Sequence, residues 1–266
     1  MKVHFIGIGG IGLSALARFL NFDGHEVCGS DMKSSPITKA LEEEGIKVSC
    51  PQDAKNIKDD IDLVIYSAAV TDENPELIEA RLKQIRTLSR KEALPIILGD
   101  KKNYCVAGAH GKSTTTAMLA SILQSTTLIG AISKDFGSNF RYVNDLVAFE
   151  ADESDASFLL SSPYCAIVTN AEPEHMEYYH YDYDKFYESY ERFLSLAKKR
   201  VVNGEDKDIQ KLKIENAVYL YPSKDIKNLC YTLKDNQPCT RFDLKDLGTF
   251  EVWGFGFHMA SNASLA

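Results

Sequence analysis

The chain has 266 residues, 44% hydrophobic and 26% charged, a globular composition that excludes a disordered or fibrous protein. Its 30 basic and 38 acidic side chains leave a net charge of −8, which argues against a nucleic-acid partner, because a protein that grips phosphate backbones is basic over its binding face. No apolar run reaches the roughly 20 residues a bilayer span requires, so no membrane partner is expected.

Met1 leads directly into a strand-like segment without a charged lead and apolar stretch, so no secretory signal is read. The six cysteines are scattered, with no Cys-x-x-Cys pair, and are expected as reduced thiols of a cytoplasmic protein. In chain order, Lys2–Gly7 is a short strand, followed by a glycine-rich turn and a helix over Ile11–Leu20. Glu26–Cys28 is a strand ending in Gly29-Ser30-Asp31, and Ile37–Glu44 is helical with Gly45 as its C-cap. Ile46–Ser49 and Leu63–Tyr66 are strands. Asn74-Pro75 opens a helix to about Lys83, with proline where its missing N–H does no harm. Ile85–Leu88 is a further short strand. This alternation predicts an α/β fold with a parallel sheet covered on both faces.

A join of hinge-like composition at Leu98–Lys102 divides the chain into two domains, residues 1–98 and 99–266. Beyond it, Asn103–Ala107 is a strand, Gly108–Ser113 a turn and Thr114–Gln124 a helix. Leu146–Glu150, Ala166–Thr169, Arg200–Asn203 and Ala217–Tyr221 are strands, and Asp184–Lys199 is a long helix. Asn262–Ala266 reads as the opening turns of a helix, so the chain is expected to be cut inside an element.

Three stretches carry chemistry. Gly7-Ile8-Gly9-Gly10-Ile11-Gly12 is a G-x-G-x-x-G sequence between strand and helix. There the backbone turns tightly, approaches a diphosphate and offers it a helix N-terminus. Asp31, at the end of the next strand, stands near the spacing at which a carboxylate meets ribose hydroxyls. This site does not distinguish NAD from another nucleotide diphosphate.

The second stretch is Gly108-Ala109-His110-Gly111-Lys112-Ser113-Thr114, again between strand and helix. Its N–H groups can cradle phosphates, Lys112 can reach β- and γ-oxygens, and Ser113 can supply a magnesium ligand. Val106 stands where the common pattern has its first glycine, so the loop is a shortened variant. The third stretch is acidic: residues 151–190 hold nine carboxylates against one base, Lys185. Most of these acids read as a solvated face. Glu150 at a strand end and His175 after another strand are the pair placed to hold a metal in the same crevice. His110 lies inside the phosphate loop, whereas His4 and His25 fit packing roles and His180 a surface position. The aromatic run Tyr178–Tyr183 lacks interleaved bases and reads as packing.

The ordered blocks GIGGIGLS (Gly7–Ser14), YSAAV (Tyr66–Val70), AGAHGKSTTT (Ala107–Thr116), EADESDASFL (Glu150–Leu159), TNAEPEH (Thr169–His175) and Gly256-Phe257-His258 with Asn262-Ala263 resemble the Mur ligases of peptidoglycan synthesis. Ala109 departs from a common threonine, removing one phosphate contact, and Ser113 replaces threonine neutrally. The resemblance implies an N-terminal Rossmann-like domain for the UDP part of a sugar nucleotide, then a P-loop ATP-binding domain, with a third domain missing. It implies that Gly9, Gly10 and Gly12 face the diphosphate, that Asp31 lies near the nucleoside, and that His110 is a substrate contact. Lys112 would hold ATP phosphates within the loop from Gly108 to Thr114, Ser113 and Glu150 one magnesium, and His175 a second or bridging metal. Lys112, Glu150 and His175 would thus be catalytic, and His258 and Asn262 would contact adenine. The implied activity joins L-alanine to UDP-N-acetylmuramate with ATP and Mg2+. A related ligase for a recycled peptide, an NAD-dependent oxidoreductase and a nucleotide-sensing module remain alternatives.

Overall fold

Four of the five side chains of Lys2–Ile6 are buried, and this strand (β1) forms the middle of a parallel sheet. In the computed structural model, which describes residues 1–99 and 101–266, β1 leads through the glycine turn into α1 (Ile11–Phe22). Asp100, within the expected join, lies outside the described residues. Next come β2 (Glu26–Ser30), α2 (Pro36–Glu43), β3 (Lys47–Ser49), β4 (Leu63–Tyr66), α3 (Pro75–Leu82), β5 (Arg86–Ser89) and α4 (Arg90–Leu98). The strands form a five-stranded sheet in the order β3-β2-β1-β4-β5, every pair parallel. Asn74 accepts the N–H groups of Glu76 and Leu77 and so opens α3 at the expected residue. Helix α4 was not expected. Ser89 and Glu92 cap it reciprocally, although Pro95 lies inside it.

The second sheet has the order β12-β11-β10-β6-β9-β7-β8. Its elements begin with β6 (Lys102–Ala107), α5 (Lys112–Leu123), β7 (Thr126–Leu128), β8 (Phe140–Arg141) and β9 (Leu146–Glu150). They continue with β10 (Pro163–Val168), α6 (Tyr183–Leu196), β11 (Lys199–Asn203) and β12 (Val218–Leu220). Helix α5 starts two residues earlier than read, which brings Lys112 and Ser113 into its first turn. Helix α6 stops at Leu196 because Lys199 already enters β11. After the short α7 (Pro222–Asp225), the strands β13 (Ile226–Lys234), β14 (Gln237–Leu244) and β15 (Thr249–Trp253) form an antiparallel sheet absent from the sequence reading. Helix α8 (Phe257–Leu265) closes the described chain and packs Ala260 with Ile226, Phe242 and Leu244.

One compact unit holds residues 1–99 together with Leu128–Tyr142; Lys101–Thr127 and Val143–Ala266 form the other. A single cut after residue 98 therefore misses a returning segment. Asn139 explains the return. Its side-chain oxygen accepts from Arg18 Nη1 (2.6 Å), while its amide donates to Ser14 Oγ (2.9 Å) and to the Ile11 carbonyl. Arg18, 6% exposed, also makes a two-pronged bond to Glu44 at 2.7 and 2.9 Å. Phe140 and Tyr142 add ring contacts with Phe19 and Phe22. Among the described residues, no helix is long and apolar enough to cross a membrane.

Candidate functional site

In the first unit, the glycine turn is fastened from beneath. The Ser30 carbonyl accepts the N–H groups of Gly7 (2.8 Å) and Ile8 (2.9 Å), and Gly9 N–H donates to Asp31 Oδ2 (2.9 Å). Asp31 thus braces the loop as well as bordering the cleft beside it, which has a volume of about 640 Å³. Gly9 and Gly10 line that cleft with Asp31, Gln52, Ser67 and Asn74. Gly12 is not among the lining residues. A Cβ there would stand 3.1 Å from Arg90 Nη1, so its smallness serves the approach of α4 to α1 rather than the ligand face.

Behind the loop lies a buried polar network that was read only as packing. Glu76 accepts the Ser30 hydroxyl (2.5 Å), Asn56 Nδ2 (2.7 Å) and the Asp53 N–H (3.1 Å), and it meets His4 Nε2 at 3.0 Å. His4 Nδ1 lies 3.4 Å from Cys28 Sγ. Burial opposes the charge on His4, but its bonds with Cys28 and Glu76 outweigh burial and raise it to about 9. Burial likewise opposes the Glu76 carboxylate, yet the donors His4, Ser30 and Asn56 hold it below its ordinary value. The pair is therefore ionic. It steadies Ser30, whose carbonyl carries the glycine turn.

The second unit builds its loop between β6 and α5. Gly108 (φ +135°) has no room for a side chain, because a Cβ would stand 2.3 Å from Thr169 Oγ1. Gly111 (φ +84°) is crowded in the same way by Asn262 Oδ1, 2.8 Å from the Cβ position. The Thr169 hydroxyl and Asn170 Nδ2 donate to the His110 carbonyl at 2.6 and 2.8 Å, and Asn170 Oδ1 accepts the His110 N–H at 3.1 Å. The end of β10 thereby fixes the loop crest. The exposed ring of this loop residue, His110, faces Glu174 (3.4 Å) and Glu172 (3.7 Å). Lys112 Nζ donates to the Gly108 carbonyl (2.6 Å) and to Glu153 Oε1 (2.8 Å). Glu153 had been counted only among the acids of a solvated face; it is 3% exposed. The sequence around it, Asp152-Glu153-Ser154-Asp155, gives no sign of that burial.

Ser113 and Thr114 occupy the first turn of α5, and Glu150 ends β9 opposite Val106 of β6. Asn262 reaches the loop, whereas the His258 ring packs over Gly256. His175 is exposed with φ +52°, beyond Asn170 in the chain. Among the described residues, no group of three or more His, Cys, Asp or Glu side chains could hold a metal. Ser113 and Glu150 offer a hydroxyl and a carboxylate, the oxygen donors that a hard cation such as magnesium takes.

Residues 2–102 match the Mur ligase family catalytic domain and residues 106–266 the Mur ligase middle domain. The chain belongs to the Mur ligase family. Over its whole length it is 58% identical to the UDP-N-acetylmuramate–L-alanine ligase of Campylobacter curvus and 51% identical to that of Helicobacter pylori. It spans 61% and 59% of those proteins. The crystal structure of UDP-N-acetylmuramate-alanine ligase from Thermotoga maritima superimposes with a TM-score of 0.86 at 30% identity, covering 100% of this chain and 63% of that one. In Mur ligase terms, the glycine turn lies in the catalytic-domain match and the Lys112 loop in the middle domain.

Proposed function

We propose that this chain carries the sugar-nucleotide and ATP sites of a cytoplasmic ligase that joins L-alanine to the lactyl carboxylate of UDP-N-acetylmuramate. The carrying observation is the Lys112 loop: two glycines at positive φ, Gly108 with no room for a Cβ, together with an α5 N-terminus and a lysine make the kind of phosphate cradle that a dinucleotide oxidoreductase does not need. Identity of 51–58% to alanine ligases favours alanine over a recycled peptide as the second substrate.

In the proposed reaction, a lactyl carboxylate oxygen attacks the γ-phosphorus of ATP, and the bond to the β-phosphate oxygen breaks to release ADP. The alanine amine then attacks the acyl phosphate carbon, loses a proton and displaces inorganic phosphate. Both anions must be held in line against their repulsion, which is work for positioned positive charge. Lys112 and the first-turn N–H groups of α5 supply that charge, while Gly9, Gly10 and Asp31 border the diphosphate cleft. Magnesium, held by Ser113 and Glu150, would neutralise phosphate oxygens when bound. His175 is the residue proposed for a second metal, and His258 with Asn262 for the adenine end.

A thermal-shift panel of UDP-N-acetylmuramate, ATP with magnesium, and NAD tests this reading. The first two are expected to raise the melting temperature, with about 2.7 kcal/mol of stabilisation at a hundredfold excess over Kd. A shift with NAD alone would refute it.

A further inference from the structure

Lys112 does not project from its loop. Its ammonium group is turned inward on three acceptors: the carbonyls of Gly108 (2.6 Å) and Ala109 (3.4 Å), and Glu153 Oε1 (2.8 Å). Glu153 belongs to a different segment, the turn after β9, and that turn is pinned because the Tyr179 hydroxyl donates to the Glu153 carbonyl at 2.6 Å. The second carboxylate oxygen is buried and has no hydrogen-bond partner among the described residues.

We infer that Glu153 is the positioning residue of the phosphate loop: it keeps hold of Lys112 while nucleotide phosphate takes the place of the two backbone carbonyls. This rests on the reading of the Lys112 loop as an ATP site. The physical reason is an asymmetry between the three partners. A loop carbonyl released by an ammonium group loses one neutral acceptor contact and can turn toward water. A buried carboxylate released by its cation is left as an uncompensated charge in a low-dielectric setting. Burial already pushes the Glu153 carboxyl up, against the pull of Lys112. The bond to Glu153 is therefore the one retained, and it restricts the ammonium to an arc over the loop instead of the wide range of a free lysine side chain.

The test is a double-mutant cycle on ATP affinity, measured by calorimetric titration of ATP with magnesium into the full chain and its Glu153→Gln, Lys112→Met and doubly substituted forms. Glu153→Gln keeps the shape and removes the charge; it is expected to weaken ATP about tenfold, as loss of one charge-assisted bond does. In the Lys112→Met background the same change is expected to do almost nothing, because the glutamate acts only through the lysine. Equal weakening in both backgrounds, or none in either, overturns the inference. Unchanged binding by Lys112→Met alone would overturn the ATP reading, and the inference with it, which is a separate failure. Where Glu153→Gln does not melt cooperatively, Glu153→Asp, which keeps the charge but draws it back by one methylene, is titrated with the same expectations.

Discussion

Asn262, in the last helix of the chain, stands against Gly111 of the phosphate loop, its Oδ1 2.8 Å from where a Cβ on that glycine would lie. Gly111 is also the left-handed residue that opens α5. A side chain there meets both backbone strain and a neighbour. Gly111→Ala is therefore expected to cost about 1–3 kcal/mol in urea unfolding. It should also weaken ATP by more than that loss of stability alone would cause. Wild-type stability and affinity would show that the loop tolerates rearrangement.

Asp31 ties the glycine turn of the other unit through the Gly9 N–H. Asp31→Ala frees that donor and slackens the loop. We expect UDP-N-acetylmuramate affinity to fall by about tenfold, since a bond to a charged acceptor contributes roughly 1.5–3 kcal/mol. Equilibrium titration of ligand into both proteins measures it, and the melting point should move by only a few degrees.

Asn139 links Arg18, Ser14 and the Ile11 carbonyl. Asn139→Ala removes those bonds around a buried guanidinium, at a cost of about 2–3 kcal/mol. Hydrogen exchange should rise in residues 128–142 more than elsewhere, and a uniform change would contradict their docking on α1.

The His4–Glu76 pair makes stability depend on pH. An unfolded histidine titrates near 6.5, and His4 in the folded chain near 9. Its contribution, on the order of 3 kcal/mol, is complete below pH 6.5 and disappears as pH rises through 9. Chemical unfolding at pH 7 and pH 10 should show a larger loss in the wild type than in His4→Gln. An equal loss in both would remove His4 from the account.

Much of this architecture was readable because its signals are local. The apolar run Lys2–Ile6 followed by spaced glycines marked β1 and α1, and Asn74-Pro75 marked α3. Other features depend on partners distant in the chain. Nothing near Glu153 announces that it will be buried against Lys112, and the return of residues 128–142 is decided by Arg18 through Asn139. Helix α4 carried a legible capping signal in Ser89 and Glu92, which the proline and the hinge-like residues after it obscured. The antiparallel sheet also had a local mark: Asp235 and Asn236 both take positive φ at the β13–β14 turn, a conformation these residue types favour.

The most direct measurement is a titration of ATP into the chain with and without magnesium, repeated on Lys112→Met. The account predicts magnesium-dependent binding that falls at least tenfold on loss of the Lys112 charge, while UDP-N-acetylmuramate affinity is unchanged. Binding indifferent to both magnesium and Lys112, or displaced by NAD, would contradict it.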